Sequence, residues 1–181
     1  SKAEELVKRV KEVVDKVRKL VEEIEEKVKR VVEKSRRDVT EVVKKNREVV
    51  KRVKDTVRRR KTEEVKTRIK KEVDDVRKEN EDLLRESKKR LDEVKDEIRR
   101  VEEEVEELVR RLEKRIDELR KNGLGEEIVR RAREELERVL DEAKRILEKV
   151  TRELDEAHKE TEKILRDVNR ESDKALEEVE R

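Results

Sequence analysis

From Leu6 to Val32 the apolar residues Leu6, Val10, Val13, Val17, Leu20, Val21, Ile24, Val28, Val31 and Val32 advance mostly by threes and fours. That spacing lays them along one stripe of an α-helix, and the alternation of a β-strand does not appear anywhere in the chain. A second period lies beneath the first. Residues eleven apart are repeatedly apolar, as in Val17, Val28, Val39 and Val50, in Leu83, Val94, Val105 and Ile116, and in Ile146, Ala157, Val168 and Val179. Such a repeat corresponds to about 3.67 residues per turn and predicts helices that stay nearly straight or coil weakly to the right.

The supply of apolar side chains limits what such a stripe can bury. Hydrophobic residues are 30% of the 181 and charged residues 60%, a balance typical of disorder unless periodicity gathers the apolar positions together. Two apolar positions in every seven amount to about 29%, so a narrow seam would use nearly all of them. The core is expected to be thin and long. Val is a mediocre helix former because its branched Cβ restricts χ1, so its abundance points to packing in a seam; the surrounding Lys, Arg and Glu supply the helix propensity.

Two interruptions decide the architecture. Lys121-Asn122-Gly123-Leu124-Gly125 contains both glycines of the chain. Gly123 or Gly125 can take the positive φ of a helix C-terminal cap, and Glu126 and Glu127 suit the start of the next helix. The other interruption is Arg58-Arg59-Arg60-Lys61-Thr62-Glu63-Glu64-Val65, which has no Gly, Pro or Asn. Its four cations suit a helix C-terminus, and Thr62 followed by two glutamates suits an N-cap and an acidic first turn.

A turn there gives an all-α fold, an elongated antiparallel up-down-up three-helix bundle of nearly straight helices. The helices would span about 2–60, 62–121 and 126–180, with turns near 61 and 122–125, each on the order of 90 Å long at 1.5 Å per residue. Residues 1–181 would then be one helical-bundle domain. A straight run gives instead a helix of about 120 residues plus one of about 55, which has to assemble with other chains as an oligomeric coiled coil to bury its stripe.

The polar interruptions of the seam favour the turn. The stripe passes through Ser35 and Asn46, then Asn80 and Ser87, then Thr161 and Ser172. Folding back about residue 61 sets Ser35 opposite Ser87, and folding again about Leu124 sets Ser87 opposite Thr161, in one layer. Asn46, Asn80 and Ser172 fall near a second layer, out of step by about one helical turn. A paired polar set fixes one register at some cost in stability, whereas a single Ser or Thr can satisfy itself on its own helix's i−4 carbonyl. His158 is the one residue that titrates near neutrality. Beside Ala157 and three residues before Thr161, it is either a network member able to act as a pH switch or a partly solvated boundary residue.

Function classes fall away for lack of parts. The chain has no Cys, Met, Phe, Tyr, Trp or Pro and a single His. Nucleophilic relays, the usual transition-metal sets, the paired Glu-x-x-His of helical di-metal sites and Gly-rich phosphate loops are therefore missing, and the chain is read as no enzyme, with no catalytic, cofactor-binding or metal residues and no cofactor. The net charge of +3 is unevenly placed, with 22 basic against 13 acidic residues in 1–60 and 14 against 19 in 123–181. The first and last thirds should attract each other side by side.

Interleaved acids and the lack of stacking aromatics argue against specific nucleic-acid binding, and the lack of Trp and Phe against a membrane-surface helix. No apolar run approaches the length of a membrane span and no signal-peptide layout appears, so a soluble chain with no targeting signal is expected, as in cytoplasmic recombinant expression. No partner is required by a monomeric bundle. The alternative is a homo-oligomer or a module that accepts a partner helix, including a natural stalk or spacer, because Leu6-Val7, Val13-Val14 and Leu20-Val21 widen the stripe.

The idealised Lys/Arg/Glu surface, the Ala/Val/Ile/Leu seam, the KNGLG loop and polar seam residues such as Ser35, Ser87 and Thr161 together resemble a computationally designed, de novo helical bundle with buried hydrogen-bond networks. The resemblance covers the whole chain and is one of style. The missing Gly/Pro loop at 61 and the single His depart from it. It implies a structural scaffold or assembly module with no evolved substrate, its buried polar layers specifying helix pairing.

Overall fold

Ser1 opens the first helix: its hydroxyl accepts from the Glu4 amide at 3.3 Å and its carbonyl from the Glu5 amide at 3.1 Å. A computed structural model describes residues 1–59 and 62–180, and these form three long α-helices packed against one another, with no strand among the described residues. They are α1 (Lys2–Arg58), α2 (Glu63–Lys121) and α3 (Glu126–Glu180). The chain does not run straight through as one helix of about 120 residues. Residues 60 and 61, where the first turn is expected, lie outside the described residues, but both flanks are visible.

Thr62 caps α2 as its sequence context predicts. Its Oγ1 accepts from the Val65 amide at 3.2 Å and its carbonyl from the Lys66 amide at 3.1 Å, satisfying donors that a helix N-terminus otherwise leaves unpaired. The end of α2 is closed more thoroughly. Gly123 has φ 93°, its amide donates to the Arg120 carbonyl at 3.2 Å, and the Leu124 amide donates to the Leu119 carbonyl at 3.0 Å. These are the two bonds of a Schellman cap. Leu124 packs against the same core cluster that holds Leu119, the apolar contact that usually accompanies that cap. Of the two glycines only Gly123 takes a positive φ, while the Gly125 carbonyl accepts from the Val129 amide at the start of α3.

The three helices contribute to two compact units, Ser1–Lys29 with Glu93–Glu153 and Arg30–Asp92 with Leu154–Arg181. In the first unit Lys2 meets Asn122 and Lys27 meets Glu97, so rising numbers in α1 face falling numbers in α2. Arg133 with Asp117 and Lys144 with Glu106 set α3 antiparallel to α2. Its core holds Leu6, Val17, Ile116 and Leu136, all essentially inaccessible to solvent. Fully burying one such side chain contributes about 1.5–3 kcal/mol, which is why a thin seam suffices.

In the second unit Lys45 pairs with Glu79 at 2.7 Å, Arg52 with Glu72 at 3.4 Å, and Arg77 with Asp173. The pairing is again antiparallel between α1 and α2 and between α2 and α3. Val49, Val53, Ile69, Val73, Val76, Ala175 and Val179 form an apolar cluster here. Among the described residues six polar ones are buried, Ser35, Asn46, Asn80, Ser87, Thr161 and Ser172, and all belong to this unit.

Candidate functional site

An eleven-residue interval is three turns of a nearly straight helix, so α1 presents Ser35 and Asn46 on the same buried face, and α3 does the same with Thr161 and Ser172. The ion pairs Lys45–Glu79 and Arg52–Glu72 centre the fold-back of α1 on α2 at residue 62. Relative to that centre, the serine pair and the asparagine pair each stand two residues from direct opposition, about 3 Å along the axis. A hydrogen-bonding side chain spans that offset, so the one-turn mismatch anticipated for Asn46 and Asn80 does not separate them.

Ser35 Oγ and Ser87 Oγ are 2.7 Å apart, and either can donate. Thr161 does not join them: its hydroxyl donates to the Ala157 carbonyl of its own helix at 3.0 Å. The anticipated three-residue layer is thus a cross-helix pair beside a self-satisfied threonine. The short threonine hydroxyl reaches its i−4 carbonyl with no change of backbone, which competes directly with a bond to a neighbouring helix.

The asparagines form a connected set. Asn46 Nδ2 donates to the Val42 carbonyl at 2.7 Å and to Asn80 Oδ1 at 3.2 Å. Asn80 Nδ2 donates back to Asn46 Oδ1 at 3.2 Å and on to Asn169 Oδ1 at 2.8 Å. Both amide hydrogens of each buried asparagine therefore have acceptors, and those acceptors lie on all three helices. A reversed carboxamide would set N–H groups against one another, so the reciprocal bond fixes how both amides point.

Ser172, placed by sequence in the asparagine layer, contributes no bond there; its Oγ is buried with no partner. Asn169 of α3 takes that place. It is only half-buried, off the apolar stripe, and seam reading passes over it. A signal was nevertheless available. The chain has four asparagines and no glutamine; Asn122 sits at a helix end and the other three bond to one another.

His158 stands at the boundary, its side chain 23% exposed, with Nε2 2.8 Å from Glu162 Oε1 one turn on. Its Nδ1 is buried without a partner. Arg90 bonds Asp38 across α1 and α2 at 3.2 Å, the most sheltered of the ion pairs around these contacts. Partly exposed pairs of this kind contribute about 0–1 kcal/mol each.

The arrangement offers hydrogen bonds and shape. Among the described residues no cluster of three or more His, Cys, Asp or Glu could hold a metal ion, and no helix is long and apolar enough to cross a membrane. No protein-family model and no curated protein sequence matches the chain. Among solved structures it is similar to a computationally designed three-helix bundle, at 21% identity and a TM-score of 0.44, with 98% of this chain and 82% of that one covered.

Proposed function

We propose that the chain is a computationally designed structural scaffold with no natural substrate, in which buried polar contacts determine which helices pair and in what register. The observation that carries this reading is the reciprocal bond between Asn46 and Asn80, extended to Asn169, with every amide hydrogen of the two buried residues placed. A helix slipped by one heptad would bury two carboxamides without partners, a penalty of about 1–3 kcal/mol each. An all-valine seam carries no such penalty, because one apolar layer resembles the next. The complete omission of Cys, Met, Pro and every aromatic residue from 181 positions supports a chosen rather than an inherited composition.

The absence of cysteine makes the reading directly testable. Lys45→Cys with Glu79→Cys reports the register described above, and Lys45→Cys with Glu72→Cys or Glu86→Cys reports a slip of one heptad. With a short bismaleimide linker, the parent sequence is expected to cross-link efficiently only at 45–79. In an Asn46→Leu/Asn80→Leu background, the slipped pairs should appear. If that background still cross-links only at 45–79, the asparagines do not set the register.

A further inference from the structure

In the second unit helix α1 makes an ion pair to α3 through Arg36 and Glu160, but the cations further along that side stand apart from it. On the α2 side its cations are engaged, Lys45 by Glu79 and Arg52 by Glu72. On the α3 side lie Lys44, Arg47, Lys51 and Lys54, and among the described residues no ion pair reaches any of the four. Glu48, Glu171 and Glu178 line the same groove, as does Lys174, so cations outnumber acids there by five to three. These cations edge a continuous groove between α1 and α3, its two stretches sharing Arg47 and Lys51.

The groove is not merely a charged strip. Its floor includes Val43, Val50 and Ile164, all half-buried, so apolar surface remains within reach of a further side chain. From Thr40 to Lys54 the lined stretch of α1 would match about four turns of a helix lying alongside it. The corresponding groove between α1 and α3 in the first unit has an apolar floor too, but it is edged by Glu22, Glu25 and Glu142 with only Arg18 against them.

We infer that the α1/α3 groove of the second unit is a docking surface for an acidic amphipathic helix, which would lie on Val43, Val50 and Ile164 and set its carboxylates against Lys44, Arg47, Lys51 and Lys54. The apolar floor selects an amphipathic helix over a plain polyanion, and four unpaired cations along one edge select acidic flanks. No aromatic side chain is present to stack bases, which disfavours a single-stranded nucleic acid. This surface is separate from the asparagine contacts, and either idea can fail without the other.

The test uses the full chain and a fluorescein-labelled helical peptide of 18 residues, with Leu at every third or fourth position and Glu on both flanks, followed by fluorescence anisotropy. Saturable binding is expected, weakened about tenfold between roughly 0.05 and 0.5 M NaCl and about tenfold or more by Arg47→Glu with Lys51→Glu. All four cations are exposed, so helicity should survive. Lys44→Glu with Lys54→Glu gives the same readout from other positions if the first pair does not fold.

Any of several results would overturn the inference. They are no saturable binding, equal binding by the same peptide with Lys for Glu, equal binding with Ala for Leu, or undiminished binding by both charge-reversed variants. Tighter binding of a single-stranded oligonucleotide would reassign the cations to a nucleic acid. A dimer in light scattering that the charge reversals dissociate would give the groove to a second copy.

Discussion

Asn46 and Ser172 show what a buried polar side chain contributes when it is paired and when it is not. Asn46 bonds its own helix and α2 at once, whereas Ser172 Oγ is buried with nothing to bond. Truncating Asn46 to Ala leaves the buried Asn80 without one donor and one acceptor, so urea unfolding should show a loss of about 1–3 kcal/mol. Replacing Asn46 and Asn80 together by Leu removes both needs at once and should leave stability equal or higher. Ser172→Ala, which deletes an unpartnered hydroxyl, should be neutral or stabilising by the same measurement. If Asn46→Ala is as harmless as Ser172→Ala, the asparagine bonds contribute nothing net.

At the scale of the helix, the caps at the start of α2 and at its end are built differently. The α2 to α3 reversal has a positive-φ glycine and both bonds of its cap, and a Cβ added at Gly123 would meet nothing within 4 Å. Gly123→Ala therefore tests backbone conformation alone and should cost about 1–2 kcal/mol, with Gly123→Asn costing less because Asn tolerates that region. Thr62→Ala removes the α2 cap and should cost about 1 kcal/mol; thermal unfolding monitored by circular dichroism would measure both.

These elements were legible in the sequence to unequal degrees. The three- and four-residue spacing needs only the distinction between apolar and charged side chains, and every position it marks between Leu6 and Val32 is buried or partly buried. Val14 and Val21, read as widening the stripe, are buried within the first unit's own core, while Val7 is 62% exposed. The end of α1 was the hard case, because a helix that stops without Gly, Pro or Asn leaves its signal to the residue that begins the next one, Thr62. Asn169 was missed because its reach depends on side-chain length from the flank of the stripe, which periodicity does not encode.

For the molecule as a whole, the buried polar side chains among the described residues are confined to one of the two units. The first unit's core is Leu, Ile, Val and Ala, whereas the second combines a smaller apolar cluster with all six polar residues that are buried among the described residues. Local opening free energy follows the density of buried apolar contacts. Amide hydrogen exchange should therefore be slowest around Val17, Ile116 and Leu136 and faster by about tenfold or more around Thr161 and Ser87, a factor that corresponds to about 1.4 kcal/mol. Uniform protection along each helix would mean that the polar contacts are as hard to open as the valine seam.

The joined carboxamides of Asn46, Asn80 and Asn169 also provide a spectroscopic handle. A sample labelled with nitrogen-15 only at asparagine would carry four side-chain amide groups, since the chain has four asparagines. Three of them touch and the fourth, Asn122, is exposed at a helix end as an internal reference. Chemical shifts and solvent exchange of those few resonances would report in real time whether the three helices are in contact, without a fluorophore and without altering a single residue.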